Sequence, residues 1–174
     1  MLQIRIHGRG GQGVVTAAEM LSIAAFLEGR HAQAFPSFGS ERTGAPVVSF
    51  CRIDHQPIRV REPIISPDVL INTKRSFDEL HLDEIASQHR AERLLTLPAT
   101  EIALKHLGRP LPNAVLLGGF AALSGMIQLN AVVQAIGHKF KGVIAERNAA
   151  AATEAFQIIE HMTQASSATR QEAS

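Results

Sequence analysis

The stretch that most restricts the fold comes first. Leu2, Ile4 and Ile6 alternate with polar neighbours as a half-buried strand does, HGRGGQG follows, and from Gly13 the apolar positions Val14, Ala17, Leu21, Ala24 and Ala25 recur at helical spacing. A strand, a glycine-rich turn and a helix in immediate succession open a βα unit. The glycines let the chain reverse in few residues, and the helix then folds back over the strand. Gly29 ends that helix as a left-handed cap. Gly8, Gly10 and Gly13 also satisfy G-x-G-x-x-G literally, so the same residues raise the question of a dinucleotide.

A dinucleotide site has a second anchor, an acidic residue about 20 positions further on that binds the ribose hydroxyls. Glu28 stands at that distance, but at the end of the predicted helix. At the next strand, Gln33 to Phe35 offer no carboxylate. A stand-alone nicotinamide-dependent oxidoreductase is therefore the alternative reading and not the leading one. The loop Gly8, Arg9, Gly10, Gly11, Gln12 and Gly13 is read as presenting backbone amides, Arg9 and Gln12 to an anionic group or a partner chain. The plainer reading is a tight turn that only packs closely.

A second candidate group lies in HAQAFPSFGSERTGAP, where Pro36, Gly39, Gly44 and Pro46 break regular structure after a short strand. Ser37, Phe38, Gly39, Ser40, Glu41, Arg42 and Gly44 form this loop. Glu41 and Arg42 in so constrained a segment point to function, against the plainer alternative of a solvated ion pair worth little. Phe35 and Phe38 are core plugs by default and interface anchors otherwise. No complete catalytic set exists in the chain: Ser37 and Ser40 lack a G-x-S-x-G setting, and Cys51 sits in a strand with no base placed beside it.

Further along, Pro46 to Ile53 reads as a strand and Asp54 to Pro57 as a turn into Ile58 to Arg61, which predicts a hairpin. Pro67-Asp68 introduces the short strand DVLIN. Ser76 and Glu79 form a capping box for a helix carrying Phe77, Leu80 and Ile85, and Arg93 to Leu97 returns to strand. Ala99 to Leu107 is a helix stopped by Gly108 and Pro110. Asn113 caps an apolar helix to about Met126, whose glycines and alanines permit close contact with a sheet or a partner helix. Helices over Ala131 to Phe140 and Ala145 to Gln164 complete a single domain, 1–164, with 165–174 as a disordered tail. The alternation predicts an α/β fold: a Rossmann-like three-layer sandwich with a mainly parallel sheet and a β-hairpin.

Composition removes several function classes. With 17 basic and 16 acidic residues interspersed, no basic stripe or polybasic run marks a nucleic-acid or membrane partner. Ala114 to Ile127 is apolar but shorter than the roughly 20 residues of a membrane span. Met1 to Ile6 is strand-like and lacks the pattern of a secretory signal, which predicts a cytoplasmic protein. A single cysteine excludes an internal disulfide, and with it any iron–sulfur cluster held by cysteines of this chain alone. The eight histidines show no metal-binding spacing, so no metal site is predicted.

Taken together, HGRGGQGVVTAAEML, EGRHAQAFPSFGSERTGAPVVSFCRI, NTKRS, PNAVLLGGFAALSGM and KFKGVIAERNAAAATEAF resemble the gamma subunit of the 2-oxoacid:ferredoxin oxidoreductases. That family includes enzymes for pyruvate, branched-chain 2-oxoacids, 2-oxoglutarate, indolepyruvate and phenylglyoxylate. The resemblance runs from Leu2 to about Ile159. It implies association with alpha and beta subunits and a ferredoxin-like subunit, and oxidative decarboxylation of a 2-oxoacid with coenzyme A to acyl-CoA and carbon dioxide. Thiamine diphosphate and [4Fe-4S] clusters would be held by the partner subunits, and electrons would pass to an external acceptor. The isolated chain is expected to be inactive. Both loops would face the subunit junction, with coenzyme A phosphates as the attractive ligand for Arg9, Gln12 and Arg42, and Glu41 orienting Arg42. One departure stands out: family members place a helix and another strand between the Pro-Asp strand and the N-T-K-R-S block. Here Pro67-Asp68-Val69-Leu70 runs almost directly into Ile71-Asn72-Thr73, so the domain is shortened in the middle.

Overall fold

The alternation that opens the sequence is realised as strand β1 (Leu2–Arg9), in which Ile4, Ile6 and Gly8 are buried on one face while Gln3, Arg5 and His7 occupy the other. The computed structural model describes residues 1–37, 46–72 and 96–172, with side chains through residue 164. After β1 come α1 (Val14–Leu27), β2 (His31–Pro36), β3 (Pro46–Asp54) and β4 (Val69–Asn72). The remaining described elements are helices: α2 (Ala99–Leu107), α3 (Asn113–Ser124), α4 (Leu129–Lys139) and α5 (Gly142–Glu172). The helix expected around Ser76 and Glu79, and most of the strand expected over Arg93 to Leu97, lie outside the described residues.

The strands form one open sheet in the order β2-β3-β1-β4. The α/β class stands, but among the described residues the sheet is mixed and not mainly parallel. β1 pairs parallel with β4 and antiparallel with β3, and β3 pairs antiparallel with β2. The reason is connectivity: a parallel neighbour needs a crossover of a dozen or more residues, and only nine residues separate β2 from β3. The predicted hairpin of β3 with Ile58 to Arg61 is also corrected. Both edges of β3 are taken, by β1 and β2, so the segment after Asp54 has no edge to join. It crosses the outer face of the sheet as coil instead. Arg52, only 1% exposed, donates from Nη1 to the Val60 carbonyl (3.3 Å) and from Nη2 to the Glu62 carbonyl. Its guanidinium carbon lies 5.0 Å from the Phe35 ring centre, and Phe35 in turn tilts against Phe50 at 5.1 Å. Phe35 is thus packing material for the sheet.

On the opposite face the register aligns Leu2, Ile4 and Ile6 with Ile53, Cys51 and Ser49, and Ile71 with Ile6. All of these but Ser49 share a core with Val14, Ala17 and Leu21 of α1, Leu117 and Phe120 of α3, and Val132 and Ile136 of α4. Burying each of the larger aliphatic side chains contributes about 1.5–3 kcal/mol before entropy is counted. Helix α4 runs antiparallel to α1. The Lys139 ammonium pairs with Glu19 at one end, and the Gln128 N–H donates to Glu28 Oε1 (2.6 Å) at the other. Helix α3 ends at Gly125 (φ +60), just short of the predicted Met126, because a left-handed glycine closes it. It crosses α5 so closely that a Cβ built on Gly118 would stand 2.0 Å from the Ala152 carbonyl oxygen. The close approach foreseen for this glycine-rich helix is therefore to a partner helix. Helix α5 begins at Gly142 and continues past Gln164 to Glu172. No helix among the described residues is long and apolar enough to cross a membrane.

Candidate functional site

The glycine turn is closed twice. The Gln12 N–H donates to the Arg9 carbonyl (3.0 Å), and the Arg9 N–H donates to Gln12 Oε1 (2.7 Å). Between them Gly11 adopts φ +90, the left-handed backbone that the third residue of a type II turn needs and that a side chain would penalise. Gln12, expected to reach toward a ligand, thus commits its carbonyl oxygen to shaping the loop. Gly8 and Arg9 belong to β1, opposite Val47 and Pro46, so the free turn is shorter than the motif. Gly13 (φ +74) is the N-cap of α1, its carbonyl accepting from Ala17 (2.9 Å). Among the described residues no side chain caps α1, and no acidic residue stands in its first turn. The positive end of the helix dipole and its first amides therefore meet no carboxylate from their own helix.

Asn113 abuts this turn. It was expected as a cap, but Pro112 holds that position and Asn113 is the first residue of α3, accepting from the Ala114 N–H at Oδ1 (2.9 Å). A Cβ built on Gly13 would stand 2.6 Å from Asn113 Nδ2. Glycine is therefore favoured at 13 by its left-handed backbone, and any side chain there would displace the Asn113 amide. Sequence reasoning missed this contact because it joins positions 100 residues apart; the Pro-Asn step ahead of an apolar run signalled only a helix start.

Of the second loop, Ser37 is described: its N–H donates to the Val48 carbonyl (2.9 Å) and prolongs the β2–β3 pairing. Phe38, Gly39, Ser40, Glu41, Arg42 and Gly44 lie outside the described residues. The register nonetheless fixes where that loop leaves and re-enters the sheet. Pro36 pairs with Ser49, and Pro46 pairs with Arg9, the last residue before the glycine turn. Asn72, at the end of β4, pairs with His7 at this same edge. The glycine turn, the two ends of the second loop and the start of the NTKRS block thus lie at the carboxyl ends of the parallel strands, where open α/β sheets bind their ligands.

Other chemistry-bearing residues are engaged elsewhere. Cys51 is buried on the helix-facing side of β3, and burial pushes its thiol up to about 12, which leaves it protonated and inert. Among the described residues no three His, Cys, Asp or Glu side chains are placed to share a metal ion. Glu154 accepts from Lys105 Nζ (2.8 Å) and lies 2.6 Å from His106 Nε2, an arrangement that ties α2 to α5. The Lys105 and then the His106 hydrogen bonds hold its carboxyl below the usual glutamate range.

The nicotinamide alternative fails at its second anchor. Glu28 is the C-cap of α1, with one carboxylate oxygen on the Gln128 N–H and the other 3.9 Å from Arg30. What the geometry defines is an open-sheet α/β domain with a glycine turn and the two ends of a second loop at one edge.

The model of the pyruvate ferredoxin/flavodoxin oxidoreductase family matches residues 3–88 and again 69–158. The chain is 42% identical to the pyruvate synthase subunit PorC of Methanothermobacter marburgensis, over 92% of this chain and 99% of the relative. It is 41% identical to the pyruvate/ketoisovalerate oxidoreductases common subunit gamma of Pyrococcus abyssi, over 90% and 96%. The crystal structure of the pyruvate oxidoreductase subunit PORC of Thermotoga maritima superposes with a TM-score of 0.72 at 28% identity, covering 90% of this chain and 95% of that one. The chain belongs to the pyruvate/2-oxoacid:ferredoxin oxidoreductase family and is of its gamma-subunit type. The Pyrococcus alignment spans 181 positions, whereas 90% of 174 residues is about 157, so about 24 positions of that relative have no counterpart here. The two stretches matched by the family model overlap at 69–88, across β4 and the start of the NTKRS block.

Proposed function

We propose that this chain is the gamma subunit of a thiamine diphosphate-dependent complex that oxidatively decarboxylates a 2-oxoacid with coenzyme A, yielding acyl-CoA and carbon dioxide. The partners are alpha and beta subunits and a ferredoxin-like subunit, and electrons leave through their iron–sulfur clusters to an external acceptor in the cytoplasm. Thiamine diphosphate, held by the partners, supplies the carbanion chemistry of decarboxylation. Cys51 fits no cluster-ligating role, since it is buried, protonated and the only cysteine, which supports placing the redox centres in other subunits.

The contribution of this chain is to hold and orient the co-substrate. One observation carries that reading: the glycine turn delivers the N-terminus of α1, which has no acidic residue in its own first turn, to the edge where the second loop also starts and ends. Coenzyme A fits that edge, because its phosphates accept from amides and guanidinium groups. Arg9 lies exposed at the turn, Gln12 shapes it, and Arg42, oriented by Glu41, acts from the second loop. Catalytic residues belong to the partner subunits, so the isolated chain turns nothing over.

The test is to capture this chain with its native partners and assay viologen reduction with coenzyme A and a panel of 2-oxoacids. Larger iron–sulfur-bearing subunits and 2-oxoacid-dependent reduction are expected. A lone inactive chain without such partners refutes the assignment. Within the assembled complex, Arg42→Ala is expected to cut turnover while leaving assembly intact; unchanged turnover removes the second loop from the site.

A further inference from the structure

Helices α1, α3 and α4 cover the Ile4 and Ile6 side of the sheet. The opposite side has a different character. Register puts Gln33, Arg52 and Gln3 in one row across it, and Phe35, Phe50, Arg5 and Leu70 in the next. Two guanidinium groups, Arg5 and Arg52, therefore share this face as diagonal neighbours. The coil after Asp54 closes over Arg52, which donates to the Val60 and Glu62 carbonyls. Toward β4 the face opens: Leu70, beside Arg5, is 50% exposed, and Ile65, just ahead of that strand, is 85% exposed.

Arg52 Nε, Gln33 Oε1 and Arg5 Nε are buried and form no hydrogen bond among the described residues. The first two are a donor and an acceptor on directly opposed residues, which a single water can bridge. Arg5 has no such neighbour, because Phe50 and Leu70 stand on its two sides. Asp68, two residues before Leu70, spends a carboxylate oxygen on the Gln3 N–H (2.7 Å) and forms no ion pair with Arg5. A guanidinium keeps its charge at every accessible pH, so half-burying it between a phenylalanine and a leucine without a counter-ion is unfavourable.

We infer that this open side of the sheet, from Arg5 to Leu70, is where an acidic segment of a partner subunit docks. Its carboxylate pairs with the Arg5 guanidinium, and the apolar side chains flanking it cover Leu70 and Ile65. This rests on the reading of the chain as one subunit of a complex and adds a contact that neither loop supplies. Charge complementarity selects the acid: with Arg59 and Arg61 exposed on the coil, four arginines stand against Glu62 and Asp68 on this side. Leu70 and Ile65 select a polypeptide over a small anion, since exposed apolar surface gains only from an apolar cover.

The experiment uses the complex captured with this chain from its native cells. Arg5→Lys keeps the charge and puts a primary amine at the same point. Carbodiimide joins an amine to a carboxylate in direct contact, and peptide mass mapping then identifies the residue joined. A bond from position 5 to an aspartate or glutamate of a partner subunit is expected; a bond to a carboxylate of this chain, or none, overturns the surface. Arg5→Gln and Leu70→Asp are each expected to weaken retention of the partners about tenfold, the scale of a lost hydrogen bond to a charged group. Leu70→Asp changes an exposed side chain and so serves where Arg5→Gln does not fold. An arginine that only supports the sheet would lower Tm in Arg5→Gln and leave the Leu70→Asp complex intact, which overturns the surface while the wider function stands. A wild-type chain that recruits no partner refutes the complex itself, and the surface falls with it.

Discussion

Gly118→Ala is the sharpest test of how the helical layer is built. The added Cβ would stand 2.0 Å from the Ala152 carbonyl oxygen, 2.7 Å from its carbonyl carbon and 2.8 Å from its Cα. All three are backbone atoms of α5, so no rotamer change relieves the clash, and restoring ordinary contact requires α3 and α5 to part by more than an ångström. Such overpacking costs about 1–3 kcal/mol, occasionally more, and here it opens the seam lined by Val115, Ala151 and Ala155 as well. Against it stands the gain of about 1 kcal/mol from replacing glycine by alanine inside a helix. With backbone on both sides of the clash the cost falls at the upper end of that range, so net destabilisation of about 2 kcal/mol follows.

The control lies in the next helix. A Cβ on Gly137, within α4, meets nothing within 4 Å, so Gly137→Ala collects the helix-propensity gain alone and is expected to stabilise by about 0.5–1 kcal/mol. Urea unfolding of the wild type and both variants, compared by midpoint at constant m, reads the difference directly. Equal midpoints for Gly118→Ala and Gly137→Ala would refute the argument, because the two substitutions differ only in what stands opposite the new methyl group.

The remaining expectations concern single contacts. Arg52→Met leaves the Val60 and Glu62 carbonyls without their guanidinium donor, at a cost of about 1–3 kcal/mol, and frees the segment over the outer face. Trypsin is expected to cut after Arg59 and Arg61 much faster than in the wild type; equal cleavage rates would show that Arg52 does not hold that segment down. Because the Glu154 carboxyl is held below its usual range in the folded state, its contribution to stability is complete above the ordinary glutamate pKa and is lost as pH falls through the lowered value. Glu154→Gln is accordingly expected to flatten the acid limb of a stability–pH curve, and an unchanged limb would refute the pairing with Lys105 and His106. With its thiol pushed up to about 12, Cys51 is expected to react with a disulfide reagent at pH 8 only as fast as the domain unfolds, so rapid labelling of the folded chain would contradict its burial.

What was legible in the sequence follows the range over which each feature is determined. The strand, glycine turn and helix could be read because each is set by neighbours within a few residues. Alternation marks β1, helical spacing marks α1, and Gly11 and Gly13 stand where left-handed backbone is needed. The pairing of the sheet could not be read in this way. Pro46 to Ile53 has the composition of a strand, but whether it pairs with what precedes or follows it depends on which of its edges remain free, and β1 and β2 occupy both. The role of Arg52 depends on that outcome, since a segment denied an edge still carries carbonyls that seek donors. Site residues divide along the same line. Arg9, Gly11 and Gly13 were visible as a motif, whereas the uses of Glu28 and Asn113 depend on partners at Gln128 and Gly13, which only the packed helices bring near. A G-x-G-x-x-G match therefore specifies a turn and leaves the ligand open. Here the carboxylates speak against the dinucleotide: Glu28 is spent on the start of α4 and stands at no ribose position. Under the function proposed above, an edge without a ribose anchor would take a phosphate-bearing co-substrate whose remaining contacts come from neighbouring subunits.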